Sequence, residues 1–343
     1  MSPSTVRVPS GDAGNGRPAP VTWVIGAGGL LGKALTNTLE HRPGTVLTSP
    51  IAWTTRQARA DLVDGLDRLA AAVRSLPDRG SSVDGPAPWR IAWSAGAGVT
   101  GTTDAILAEE VATLEDFLTE IASRRDLGTG TVFLSSSAGG LHAGGNAGRP
   151  YDERDVPVPI SAYGRAKLAG ERVATDFAAA TGHRMRIGRM SNLYGPGQNL
   201  SKGQGLISHL CRGNLTRQPI SVYVSLDTIR DYLFVTDCAS MVADMLDHDA
   251  AHEDHGDQRT VVKILASQQG TTIAALVAVC RQVFKRSPRL VLGSSVNAML
   301  QVKDLRFRSV VWPELDRRTL TTLPAGIAAT AAGMLRTAQT ASR

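Results

Sequence analysis

Short apolar runs alternate with longer segments of helical spacing along most of the chain. Val21-Thr22-Trp23-Val24-Ile25 is an apolar run ending in glycines, and Leu30 to Leu39 then carries apolar residues three and four apart. That order predicts a strand, a tight turn and a helix. The alternation repeats: Arg90 to Ser94 reads as a buried strand, Ala105 to Ile121 as an amphipathic helix, and Thr131 to Leu134 as a strand. Ala162 to Ala180 follows as a helix and Arg184 to Gly188 as a strand. Buried strands alternating with helices predict an α/β fold, a doubly wound parallel sheet covered on both faces. Tyr232 to Val235, a helix over Asp237 to Leu246, and Val261 to Leu265 are expected as further elements of that sheet layer.

The punctuation of the chain sets its organisation. Met1 to Pro20 is rich in Ser, Pro and Gly and is expected to be a flexible tail. The sheet domain is expected over 21–190 plus about 230–265. The Gly/Pro-rich stretches of about 191–229 and 266–343 are expected to build a smaller C-terminal substrate lobe. Pro77 to Pro88 reads as a surface loop, and no internal repeat is present.

Composition narrows the function classes. The chain has 343 residues, 42% of them hydrophobic, which excludes disorder throughout and a small disulfide scaffold. No apolar run approaches the roughly 20 residues of a membrane span, and the N-terminus lacks the apolar stretch of a signal peptide, so a cytoplasmic location is expected. Cys211, Cys238 and Cys280 lie far apart, with neither disulfide nor zinc spacing, and are expected to be reduced and buried. The 37 basic and 31 acidic residues give +6, but the arginines form no stripe with interleaved aromatics, so nucleic acid is not expected as a partner.

Three motifs carry chemistry. Gly26-Ala27-Gly28-Gly29-Leu30-Leu31-Gly32 stands where strand meets helix, with the spacing G-x-x-G-x-x-G. Glycines allow a tight turn and close approach of a pyrophosphate, which the helix N-terminus attracts. Such a turn on a Rossmann sheet points to a dinucleotide. For NAD an acidic residue is expected about 20 residues on. Val46 to Trp53 offers none before Asp61, while Arg56 or Arg59 would suit a 2′-phosphate, so both NAD and NADP stay open. Ser135-Ser136-Ser137 follows a strand and places hydroxyls where open sheets bind ligands. In Tyr163-Gly164-Arg165-Ala166-Lys167 the four-residue spacing sets phenol and ammonium on one helix face. A cation beside a phenol favours the phenolate, which makes Tyr163 a general base while a serine holds the substrate oxygen.

These segments, with RMSNLYGPGQ (Arg189 to Gln198) and RDYLFVTD (Arg230 to Asp237), resemble the extended short-chain dehydrogenase/reductase family. The likeness is to its NAD-dependent epimerase/dehydratase branch, typified by UDP-galactose 4-epimerase, and runs from about Val21 to Leu265. It implies that Ser137, or else Ser136, acts with Tyr163 and Lys167. It places the cofactor on Gly26, Gly29, Leu30, Leu31, Gly32, Ala95, Ser135, Ser136, Tyr163 and Lys167. A nucleoside-diphosphate sugar would meet Ser137, Asn192 and Arg230, the arginine gripping phosphate oxygens. Ion pairing of Arg230 with Asp231 or Asp237 is the structural alternative.

The resemblance further implies a nucleotide-sugar 4-epimerase, with a keto-sugar reductase or a non-catalytic dinucleotide-binding regulator as alternatives, and a homodimer is common in the family. Where the 4,6-dehydratases carry an acidic pair after the catalytic hydroxyl residue, this chain has Ala138 and Gly139, which disfavours dehydration. Val224 to Thr228 replaces the usual glycines before Arg230. No metal site is expected: His248, His252 and His255 read as a solvated loop. His142 stands near the serines, either reaching substrate or idle, and Lys202 to Gly205 either lines the sugar pocket or connects lobes.

Overall fold

The computed structural model describes residues 5–7, 19–53, 57–76, 89–96, 98–99, 101–146, 148–251, 259–293 and 302–341. In chain order the first part comprises β1 (Thr5–Arg7), β2 (Val21–Ile25), α1 (Leu30–Glu40), β3 (Thr45–Thr48), α2 (Gln57–Arg74), β4 (Trp89–Trp93), α3 (Asp104–Ser123), β5 (Thr131–Ser137), α4 (Ala138–His142), α5 (Ala162–Thr181) and β6 (Arg184–Met190). The rest comprises β7 (Asn192–Tyr194), α6 (Leu206–Thr216), β8 (Ile220–Val222), β9 (Ile229–Phe234), α7 (Val235–Ala251), β10 (Thr260–Leu265), β11 (Gly270–Thr272), α8 (Ile273–Phe284), β12 (Leu290–Leu292), β13 (Asp304–Leu305) and α9 (Leu323–Ala341).

The main sheet has the order β1-β3-β2-β4-β5-β6-β10, six parallel strands with β1 antiparallel at one edge. Alternation along each strand feeds two cores. In β2, Trp23 and Ile25 join Leu62 and Leu66 of α2 and Phe117 of α3 on one face, whereas Val24 joins Leu35 of α1 and Met241 of α7 on the other. Trp23 meets the Phe117 ring edge-on at 5.7 Å. Helix α2 lies against that indole because position 65 is glycine: a Cβ there would stand 2.1 Å from the Trp23 ring. Each such fully buried large side chain stabilises the fold by about 1.5–3 kcal/mol. The chain turns back between β2 and β4, so the crevice at their carboxyl ends is the topological switch point where such sheets bind ligands.

The second lobe is built around a sheet of β11, β9 and β13 with β7 paired to β9, a two-stranded β8–β12 ladder, and α6, α8 and α9. Its core contains Tyr194, Leu210, Tyr232, Phe234, Leu276 and Ile327.

Several expectations are corrected. The segment expected as a flexible tail carries β1, whose Thr5–Arg7 backbone pairs with Thr45–Leu47. The strand around Tyr232 does not join the main sheet. β6 already has β5 and β10 on its two sides, so β9 takes its hydrogen bonds from the lobe, while α7 and β10 return to the main sheet as expected. His248 is not in a solvated loop: α7 continues to Ala251, and His248 is buried against Trp312 at 4.4 Å with Nε2 3.0 Å from Glu314 Oε1. The acidic residues before it lie on a helix face matched to arginines, Asp244 and Asp247 pairing with Arg42 and Asp247 also with Arg90. His252, His255, Arg56 and the Pro77–Pro88 loop fall outside the described residues.

Cys211, Cys238 and Cys280 are free and buried, and burial raises all three thiols, Cys211 and Cys280 to about 12, so none is a poised nucleophile. Among the described residues no helix is long and apolar enough to cross a membrane, and no group of three His, Cys, Asp or Glu stands ready for a metal.

Candidate active site

A cavity of about 880 Å³ opens at the switch point and extends under the second lobe. The glycine turn forms one wall. Gly26 has φ +83°, and a Cβ there would lie 2.7 Å from Ala95 N. Gly29 donates to Gly26 O at 2.9 Å and caps α1. A Cβ on Gly32 would reach to 2.1 Å from Gly26 O, so the third glycine lets α1 sit down on the turn. Gly28, Gly29, Leu30, Leu31 and Ala95 line the cavity, with Gly26 and Gly32 behind them. A Cβ on Gly28 would meet nothing within 4 Å, and this open glycine edge at a helix N-terminus fits a dinucleotide pyrophosphate.

The serines close the floor. β5 runs three residues further than its apolar core predicts, because Ser135, Ser136 and Ser137 pair in register with Gly188, Arg189 and Met190 of β6. All three border the cavity, with different partners. Ser136 Oγ donates to Glu171 Oε1 at 2.6 Å in the buried interior, whereas Ser137 Oγ caps α4 by accepting from Gly140 N at 3.1 Å.

Tyr163 and Lys167 stand on the first turns of α5, a helix capped by Ser161, whose Oγ accepts from Gly164 N at 3.1 Å. Lys167 Nζ lies 5.7 Å from the Tyr163 ring centroid. Gly140 brings serine and tyrosine together: a Cβ there would stand 3.0 Å from Tyr163 Cε1 and 3.3 Å from Ser137 Oγ. A larger residue would wedge them apart.

Asn192 and Arg230 enter from the second lobe. Asn192 Nδ2 donates to Asp231 O at 2.9 Å. Arg230 Nη1 donates to the carbonyls of Ile229, Lys303 and Val302, which aims the guanidinium along the cavity wall, and burial lowers its pKa. The two carboxylates named as its alternative partners are engaged elsewhere, Asp231 by Ser267 and Gln269, and Asp237 by Thr321. Arg59 does not border the cavity. It faces Asp116 at 3.8 Å on the exposed groove between α2 and α3. His142 is fully buried, stacked on Tyr151 at 4.8 Å, and does not border the cavity either.

Sequence reasoning missed several lining residues. Gly96, Gly98 and Val99 follow β4 as the glycine turn follows β2, a parallel that marks a second strand-end loop. Arg165 sits inside the Tyr163–Lys167 motif and Tyr232 beside Arg230. Among the described residues the charged side chains bordering the cavity are Arg165, Lys167, Lys202 and Arg230, all cationic, a lining that concentrates polyanions.

The fold and this crevice together are those of an extended short-chain dehydrogenase/reductase. Residues 22–258 match the NAD dependent epimerase/dehydratase family, and the chain belongs to it. It is 33% identical over 91 residues to a dTDP-L-rhamnose 4-epimerase of Burkholderia thailandensis, a match spanning 26% of this chain and 25% of that one. It is 30% identical over 242 residues to a dTDP-4-keto-6-deoxy-D-glucose reductase of Streptomyces niveus, covering 68% and 72%. Among solved structures it is similar to the UDP-glucose 4-epimerase of Thermotoga maritima crystallised with UDP-glucose, with TM-score 0.72, 19% identity, and 93% and 99% of the two chains covered. At that identity the likeness bears on the fold alone.

Proposed function

We propose that the protein is an NAD(P)-dependent nucleotide-sugar 4-epimerase. One observation carries this reading: Ser137, Tyr163 and Lys167 meet in a single cavity that begins at a glycine turn and whose charged lining among the described residues is cationic. When bound, a nicotinamide dinucleotide supplies an acceptor and donor of hydride at the sugar carbon. The chain's own residues do the rest. Tyr163 removes the proton of the C4 hydroxyl and returns it, Ser137 holds that oxygen by a hydrogen bond, and Lys167 sets its ammonium beside the Tyr163 ring. Asn192 and Arg230 hold the diphosphate, so that the 4-keto sugar can turn over without leaving. Ala138 and Gly139 have no proton to give, which sets elimination of water aside.

A second reading is supported by the Streptomyces keto-sugar reductase, a relative matched over 68% of this chain. It uses the same groups once, in one direction. Purified protein incubated with UDP- and dTDP-linked hexoses and their 4-keto forms separates the two. An epimerase interconverts C4 epimers with no net change in nicotinamide absorbance, whereas a reductase consumes one NADH or NADPH per sugar. Turnover of neither kind sinks both.

A further inference from the structure

The strand-end loop after β4 is approached by two ammonium groups from different lobes. A Cβ on Gly96 would stand 3.5 Å from Lys167 Nζ, so the lysine of the cofactor lobe packs against that residue. From the other lobe, Lys202 Nζ reaches the Gly96 carbonyl at 3.5 Å, a contact between residues 106 positions apart. Glu110 is the acidic group nearby: its Oε2 lies 3.9 Å from the same Cβ position, and its Oε1 accepts from Gly98 N at 2.8 Å. That carboxylate is on the α3 side, beside Lys167. Lys202 is exposed at the cavity wall and makes no ion pair among the described residues.

The loop that presents Lys202 is built to hold a shape. Asn199 Oδ1 accepts from both Ser201 N and Ser201 Oγ, and Gly203 and Gly205 supply the φ values of +66° and +91° that close the turn. Gln198 Oε1 accepts from Ser208 Oγ at 2.6 Å, tying the loop's start to α6. A long cation on a fixed turn, extended over the opposite lobe toward a weak carbonyl contact, is placed for an anion that lies between them.

We propose that Lys202 is a cofactor-binding residue, an ammonium carried by the substrate lobe that closes on the pyrophosphate of the bound dinucleotide and clamps it between both lobes. This rests on the reading that a dinucleotide occupies the crevice. The pyrophosphate is the ligand, rather than the sugar nucleotide's diphosphate, because Gly96 adjoins Ala95, whose amide backs directly onto Gly26 of the glycine turn. Arg230 and Asn192, on β9 and β7, serve the opposite end.

The test titrates NADH and NADPH, and separately UDP and dTDP, into the full-length wild type, Lys202→Ala and Lys202→Arg, read by nicotinamide fluorescence and calorimetry. Loss of one charged contact weakens dinucleotide binding roughly tenfold in Lys202→Ala, with Lys202→Arg close to wild type and UDP and dTDP unaffected. Wild-type dinucleotide affinity retained in Lys202→Ala overturns the clamp while leaving the crevice reading intact. Weakened UDP or dTDP binding with unchanged NADH and NADPH binding also overturns it, assigning Lys202 to the substrate. A wild-type protein that binds no dinucleotide removes both.

Discussion

Ser136 Oγ donates to Glu171 Oε1 at 2.6 Å, and this one bond divides two adjacent hydroxyls between different tasks. Ser136 is committed to the interior, while Ser137 stands beside Tyr163 with only Gly140 between them. Replacing Ser137 by Ala is therefore expected to lower kcat at least ~100-fold, as for loss of a group acting at the transferred proton, with dinucleotide affinity preserved. Ser136→Ala is expected to act on stability, by about 1–3 kcal/mol, since it leaves a buried carboxylate oxygen short of a donor. Urea unfolding and steady-state kinetics on both variants decide the matter, and the reverse pattern would exchange the two roles.

The same carboxylate forms a buried, bidentate ion pair. Arg189 Nη2 lies 2.7 Å from Glu171 Oε2 and its Nε donates to both oxygens, with the two side chains only 8% and 6% exposed. Glu171 stands one turn beyond Lys167 on α5, so the pair fixes that helix to β6. Glu171→Ala strands a buried guanidinium and is expected to cost about 3–5 kcal/mol, whereas a double Glu171→Leu, Arg189→Met replacement regains most of it. Denaturant midpoints of the three proteins measure this. A single variant as stable as wild type would mean that water reaches the pair.

His142 gives the fold a dependence on pH. Burial, and then the charge of Arg189, lowers its pKa from 6.5 to about 4, and neither ring nitrogen has a hydrogen-bond partner among the described residues. The folded chain thus binds the proton less readily than the unfolded chain does. Stability is full above the unfolded value, falls as pH drops from about 6.5, and levels off below about 4, a loss of about 3 kcal/mol from this group. His142→Phe keeps the stack on Tyr151 and removes the titration. Urea unfolding from pH 7 to pH 4 should show the wild type losing more stability than the variant by that amount, and parallel curves would exclude His142 as the cause.

What was legible in the sequence was local. The glycine turn, the serines at a strand end and the four-residue Tyr163–Lys167 spacing each depend on chain geometry within a few residues, and each lies where the pattern placed it. Pairing over distance was not legible. β1 needs only backbone to add to a sheet edge, so its Ser/Pro/Gly-rich surroundings gave no sign of it. The apolar spacing of Tyr232 and Phe234 suits either sheet, and the pairing of β10 with β6 leaves that edge closed to β9. His248 reads as the start of a solvated loop because the sequence does not show Trp312 and Glu314 packing against it. Lys202 and Gly96 meet only because two lobes fold against each other.

The glycine turn allows structure and ligand access to be separated at neighbouring positions. At Gly32 an added methyl would stand 2.1 Å from Gly26 O, a backbone atom that has no room to yield, so Gly32→Ala must lift α1 from the turn. At Gly28 the same methyl would meet no protein atom within 4 Å and would project into the space open to a pyrophosphate. Gly32→Ala is thus expected to lower Tm and abolish measurable NADH binding together. Gly28→Ala is expected to leave stability within about 0.5 kcal/mol of wild type, as a surface change does, yet weaken NADH binding. Thermal unfolding and fluorescence titration on each variant supply the four numbers. If Gly28→Ala binds NADH as wild type does, the dinucleotide does not approach this edge of the turn, and the site must be sought elsewhere along the strand ends.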